Sequence, residues 1–164
     1  MSALTLRPLS TKYSADISAL AMRSKAHWGY SPAFMQQCAH ELTYSKTQIA
    51  HKDFHFIGAF SPSDSQALTP LGFYAIQRIS SEKAELMALF VCPSVIGCGV
   101  GKSLLQHAIS AAKSHHFKAM LIYSDPNAAA FYAKHGAQRI GTHPSGSIVG
   151  RELPVYQIPL MPSA

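Results

Sequence analysis

Three glycines at alternate positions, Gly97-Cys98-Gly99-Val100-Gly101, stand between the apolar stretch Leu89-Phe90-Val91 and a helical pattern that starts at Lys102-Ser103-Leu104-Leu105. A strand therefore enters a turn in which every second residue lacks a Cβ atom and leaves it as a helix. Missing Cβ atoms let a ligand approach the main chain, and glycine reaches the dihedrals that turn several N–H groups toward one point. The helix beginning near Gly101 adds unpaired N–H groups and the positive end of its dipole. Such a loop is built to cradle a phosphate.

With 164 residues, of which 48% are hydrophobic and 13% charged, the chain has the make-up of one compact domain over residues 1–164. Its net charge of +6, from 14 Lys and Arg against 8 Asp and Glu, suits an anionic small partner. The basic residues are scattered from Arg7 to Arg151 without a run, so nucleic-acid binding is not expected. Cys38, Cys92 and Cys98 form no C-x-x-C pair and read as reduced thiols in the cytoplasm. The nine histidines match no metal spacing, and no metal is expected. No run of about 18 apolar residues and no leader pattern in Met1 to Ser10 point to a membrane or to export.

Periodicity predicts a strand over Leu4 to Leu9 and a helix through Ile17, Leu20, Ala21 and Ser24, capped by Ser14 or Asp16. His27 to Pro32 interrupts it, and a second helix follows over Ala33 to Leu42. Phe54 to Phe60 and Leu71 to Ile79 read as a hairpin joined by the turn-rich Ser61-Pro62-Ser63-Asp64-Ser65. Lys83 to Val91 is a strand that feeds the glycine loop, and the long helix after the loop ends near His115-His116. Lys118 to Tyr123 is a short strand, Asp125 and Pro126 open a helix over Asn127 to His135, and Gly136 closes it. Strands over Gln138 to His143 and Val155 to Leu160 complete the order β-α-α-β-β-β-α-β-α-β-β. The apolar last strand could support a homodimer.

Two familiar phosphate loops fail on spacing. A Walker loop needs a glycine where the chain has Ile96, and a dinucleotide loop needs G-x-G-x-x-G at the start of a βαβ unit. Instead, Phe90-Val91-Cys92-Pro93 followed by Gly97 to Leu105 resembles the acetyl-coenzyme A motif of the GNAT N-acetyltransferase superfamily, Q/R-x-x-G-x-G/A after a strand ending near a proline. Asp125-Pro126-Asn127-Ala128-Ala129-Ala130-Phe131-Tyr132-Ala133-Lys134-His135-Gly136-Ala137 resembles that family's N-x-x-A-x-x-F-Y-x-K-x-G-F segment. The resemblance covers about Lys83 to Thr142 and implies an α+β fold with a mixed, mostly antiparallel, splayed sheet flanked by helices.

It also implies acetyl-coenzyme A as co-substrate, held along Leu89, Phe90 and Val91, by the loop Ile96, Gly97, Cys98, Gly99, Val100, Gly101, Lys102 and Ser103, and by Asn127 and Tyr132. Ile96 stands where the family has Gln or Arg, so one side-chain contact to the pyrophosphate is missing while the main-chain cradle stays. Lys102 either compensates as a charge or is a solvated residue at a helix start, and Asn127 either meets the coenzyme or caps its own helix. By the same resemblance, Tyr132 is the general acid toward the coenzyme sulfur. Glu85 matches the general-base glutamate of the histone-acetyltransferase branch; otherwise it is an exposed strand carboxylate.

The resemblance further places the acceptor between the loop holding Trp28 and Tyr30 and the loop holding Arg151. Trp28 and Tyr30 could form a flat apolar wall, or Trp28 could plug the core. Arg151 could hold an acceptor carboxylate, or pair at the surface with Glu152. The expected activity is acetyl transfer to a primary amine of a small molecule. Acetylation of protein N-termini or lysines and a non-catalytic coenzyme-A-binding regulator are the alternatives.

Overall fold

The computed structural model describes residues 4–62 and 69–160. Seven strands form one sheet: β1 (Thr5–Pro8), β2 (Phe54–Phe60), β3 (Gly72–Arg78), β4 (Lys83–Val91), β5 (Ala119–Tyr123), β6 (Gln138–Pro144) and β7 (Glu152–Pro159). Their spatial order is β1-β2-β3-β4-β5-β7-β6, antiparallel throughout except for the parallel pair β4–β5. The helices are α1 (Ser14–Ala26), α2 (Pro32–Cys38), α3 (Lys46–Ala50), α4 (Val100–Ser114) and α5 (Ala129–Lys134). The mixed, mostly antiparallel sheet flanked by helices is the architecture expected from the sequence.

Side-chain alternation on the sheet builds two cores. Tyr74 and Ile76 of β3 turn to one face, where they meet Leu104, Leu105 and Ala108 of α4 with Met120 and Ile122 of β5. Phe73 and Ala75 turn to the other, onto Ile17, Leu20 and Ala21 of α1. A strand buried on both faces reads as a continuous apolar run, which Gly72-Phe73-Tyr74-Ala75-Ile76 is.

Two irregularities in β4 create the space for a site. Ile76 pairs with Leu86 and Ala75 with Ala88, so Met87 has no counterpart and bulges. As a result Leu86 packs into the α4 core while Ala88, only two residues on, packs into the α1 core. In addition, β5 pairs with β4 only from Lys83↔Ala119 to Glu85↔Leu121 and then continues alongside β7. Beyond Glu85 the two strands diverge, leaving the backbone groups on that edge of β4 without a strand partner.

Local structure departs from expectation in four places. Neither Ser14 nor Asp16 caps α1: Tyr13 is the capping position, and the Ser14 hydroxyl donates to the Tyr44 carbonyl at 2.6 Å. The expected second helix divides into α2 and a tighter turn over Ala39–Leu42. The short helix α3 was not foreseen, although Ser45 and Gln48 form a reciprocal capping box, with Gln48 N–H to Ser45 Oγ at 3.1 Å and Ser45 N–H to Gln48 Oε1 at 3.0 Å. Pro126–Ala128 is a separate 3-10 turn, so α5 starts only at Ala129. Ser63, Asp64 and Ser65 of the expected hairpin turn lie outside the described residues.

Candidate active site

The glycine loop has the geometry that the spacing demands. Gly97 and Gly99 take φ of +84° and +86°, a left-handed conformation that costs an L-residue roughly 1–2 kcal/mol, and a Cβ on either would project into open space. Gly99 precedes α4, and no side chain caps the helix. The first helical bond runs from Ser103 N–H to the Gly99 carbonyl at 3.1 Å. The N–H groups of Val100, Gly101 and Lys102 are therefore left to a ligand. At Gly101 a Cβ would stand 3.5 Å from the Phe131 ring, an ordinary contact, so the conformational demand for glycine falls on Gly97 and Gly99.

A cavity of about 600 Å³ fills the gap between the diverging strands. Leu89, Phe90 and Val91 line one side, Ile122 to Asp125 the other, and Ile96, Gly97, Gly99, Val100, Gly101 and Lys102 close the loop end. Asn127 and Tyr132 line it from the β5–α5 turn and α5, and Trp28, Lys25, Glu41, Ser145 and Arg151 complete the lining. Of the residues expected to hold a cofactor, Cys98 and Ser103 are not in the wall. The Cys98 N–H is taken by the Val95 carbonyl at 3.2 Å, and that of Ser103 by the helix.

Tyr132 is buried, and both that burial and the charge of Asp125 hold its hydroxyl above the ordinary tyrosine value. It stays protonated and can act as a proton donor to the cavity. Glu85 sits at the point where β4 and β5 part, on the face opposite α4. Burial pushes its carboxyl above the usual 4.5, against a lowering by His143, but Glu85 is not in the cavity wall. Ile96 is 46% exposed at the loop end. Trp28, 48% exposed, is a rim residue and not a core plug.

Tyr30 does not form a wall with Trp28. Its ring stacks on Phe34 at 4.1 Å and 10°, and its hydroxyl belongs to a network centred on Asp125. That hydroxyl donates to Asp125 at 2.9 Å and accepts from Asn127 Nδ2 at 2.9 Å and Arg151 Nη2 at 2.8 Å. Asp125 also caps the turn through the Asn127 N–H at 2.8 Å, and pairs with Lys25 Nζ and Arg151 Nη2, each at 3.3 Å. Burial pushes the Asp125 carboxyl up, yet the Asn127 N–H, Lys25 and Tyr30 together hold it below the usual carboxylate value. Arg151 thus pairs with Asp125 and not with Glu152. Sequence reasoning identified Asp125 only as a cap, because its other partners are distant in the chain.

The model of the Acetyltransferase (GNAT) family matches residues 21–137, which hold the whole glycine loop, the splayed strands and the Asp125 turn. The chain belongs to the GNAT acetyltransferase family. Membership makes it an acetyltransferase with acetyl-coenzyme A as co-substrate. The GNAT fold extends over nearly the whole chain in solved structures. PaiA N-acetyltransferase from Thermoplasma acidophilum, in complex with coenzyme A, is 24% identical with a TM-score of 0.78 over 96% of this chain and 99% of its own. Ribosomal-protein-S18-alanine N-acetyltransferase from Escherichia coli is 16% identical, TM-score 0.69, over 99% and 97%. An aminoglycoside 6'-N-acetyltransferase complexed with coenzyme A is 13% identical, TM-score 0.70, over 98% and 99%. No curated protein matches the sequence. For a GNAT chain, a glycine cradle with three unpaired N–H groups fits a pyrophosphate, and the unpaired edge of β4 fits an extended pantetheine arm.

Proposed function

We propose that the chain transfers acetyl from acetyl-coenzyme A to a primary amine of a small molecule by direct attack. The observation that carries this reading is a single cavity whose lining joins the glycine cradle to Tyr132, Trp28 and Arg151. Bound acetyl-coenzyme A supplies a thioester whose carbonyl carbon an amine can attack. The main chain at Gly97 to Lys102 holds the pyrophosphate, and a backbone N–H at Leu89 or Phe90 polarises the carbonyl. Tyr132 gives its proton to the leaving sulfur. Glu85 takes the ammonium proton through water, since it lies outside the cavity wall while burial makes its carboxylate more basic.

A small acceptor suits the part of the cavity that Trp28 and Arg151 line. Ser147 Oγ donates to Glu41 Oε2 at 3.1 Å, and Gly146 lies so close to Glu41 that a Cβ would stand 2.6 Å from Oε1, so the β6–β7 loop packs against Glu41 of that lining. A protein substrate would need an open groove there. The three free thiols accord with a cytoplasmic enzyme.

Thiol release from acetyl-coenzyme A across a panel of amines tests the activity, and Tyr132→Phe tests the mechanism. The variant should lose about 10²-fold or more in kcat while its affinity for coenzyme A by calorimetry is kept. Unchanged kcat would remove Tyr132 from the chemistry, and tight coenzyme A binding with no thiol release from any amine would make the chain a binding regulator.

A further inference from the structure

We propose that the acceptor carries a carboxylate besides its amine, and that Lys25 and Arg151 are the residues that bind it. The proposal rests on the small-molecule acetyltransferase reading and deepens it. Lys25 comes from the last turn of α1 and Arg151 from the β6–β7 loop; their side chains are only 13% and 16% exposed, and both line the cavity.

A single anion serves both cations. Asp125 pairs with Lys25 and with Arg151, each at 3.3 Å, and its oxygens are otherwise filled by Tyr30 Oη, Asn127 N–H and Asn127 Nδ2. Within ion-pair distance the two cations share one carboxylate, and Glu41, the other acidic lining residue, pairs with neither among the described residues. Hydrogen bonding leaves donors over. Arg151 uses only Nη2, toward Tyr30 and Asp125, and Lys25 spends one of its three N–H groups on Asp125. Nη1 and Nε of Arg151 and two donors of Lys25 have no partner among the described residues. Five free donors on two cations fit a planar carboxylate, which an Arg fork takes with two parallel bonds.

The two cations are also held in place. Both stand over the Tyr30–Phe34 stack, Arg151 at 5.4 and 5.0 Å and Lys25 at 5.6 and 5.9 Å from the two ring centres. Tyr30 adds its hydroxyl to Arg151 at 2.8 Å. Preorganised donors lose little freedom when an anion arrives. The pair is separate from the glycine cradle: no hydrogen bond or ion pair joins it to residues 96–102 among the described residues. The acidic lining residue Glu41 receives the Ser147 hydroxyl at 3.1 Å.

The test uses matched amines: phenylalanine against phenethylamine, leucine against isopentylamine, 4-aminobutyrate against propylamine, with spermidine as a polycation. Calorimetric titration into the full chain saturated with coenzyme A reads binding, and thiol release reads turnover. The carboxylated member of at least one pair should bind, and be acetylated with kcat/KM, about 10- to 100-fold better than its partner. Arg151→Gln and Lys25→Gln should each shrink that ratio toward unity, and Arg151→Lys should restore part of it. Equal or better use of the plain amines or spermidine would overturn the proposal while leaving the acetyltransferase reading intact. A binding preference without thiol release would uphold the carboxylate site and overturn the activity. No binding of any carboxylated probe, or variants that raise KM for acetyl-coenzyme A with the ratio unchanged, would also overturn it, the latter by assigning the pair to the coenzyme.

Discussion

Ile96 shows how one side chain changes a site whose main chain is intact. The positive φ values at Gly97 and Gly99 and the three unpaired N–H groups of α4 supply a cradle that depends on no side chain. What Ile96 withholds is the polar side chain, Gln or Arg, that the resemblance leads one to expect at that point. Ile96→Arg should therefore strengthen coenzyme A binding, by about three- to tenfold because the position is half exposed and screened. Calorimetric Kd values for coenzyme A check this, and an unchanged Kd would show that the main chain alone sets affinity. Asp125 gives the complementary lesson. Its capping bond to Asn127 is legible in the sequence because the partners are two residues apart, whereas Tyr30 is 95 residues away and Arg151 26. Local pairs follow from spacing, and distant ones only from the path of the chain.

At the scale of elements, β4 does most to make the site. Its bounds, Lys83 to Val91, are those the sequence predicts, since alternation and the following loop mark both ends. Neither the Met87 bulge nor the parting from β5 after Glu85 could be read, because both depend on which residues β3 and β5 offer as partners. The parting places Glu85 at the inner end of the gap, where burial raises its carboxyl above 4.5. Only the ionised form can accept a proton, so kcat/KM should rise with pH along a limb lying above 4.5, and Glu85→Gln should remove that limb with a loss of about 10²-fold or more. A pH–rate profile of the two proteins decides it; the same limb in the variant would exclude Glu85 as the base. Helix α3 escaped notice for a simpler reason, as five residues hold little more than one turn of periodicity and only the Ser45–Gln48 box announces it.

For the molecule as a whole, acid sensitivity follows from a histidine stack that joins β2 to the end of α4. His55 and His115 lie with ring centres 4.3 Å apart, and burial, with the nearby charges of His115 and Arg78, lowers the His55 pKa below 6.5. The folded chain then holds fewer protons than the unfolded chain as pH falls through 6.5, so stability is full above that value and declines below it. Between pH 7.5 and 5.5 the wild type should lose roughly one to three degrees of Tm more than His55→Phe, measured by thermal denaturation. Equal losses would show that the stack does not couple to folding. The order of the strands and longer helices, the strand into the glycine loop and the capped turn at Asp125 were determined by the sequence alone, since periodicity, glycine dihedrals and caps act within a few residues. Tertiary structure decided the rest: the open gap between β4 and β5, the contact of the β6–β7 loop with Glu41, and the gathering of Lys25, Tyr30 and Arg151 around Asp125. The network of Lys25, Tyr30, Asp125 and Arg151 and the parting of β4 from β5 arise from strand register and side-chain meetings between distant segments, and such meetings are set by how the whole chain packs.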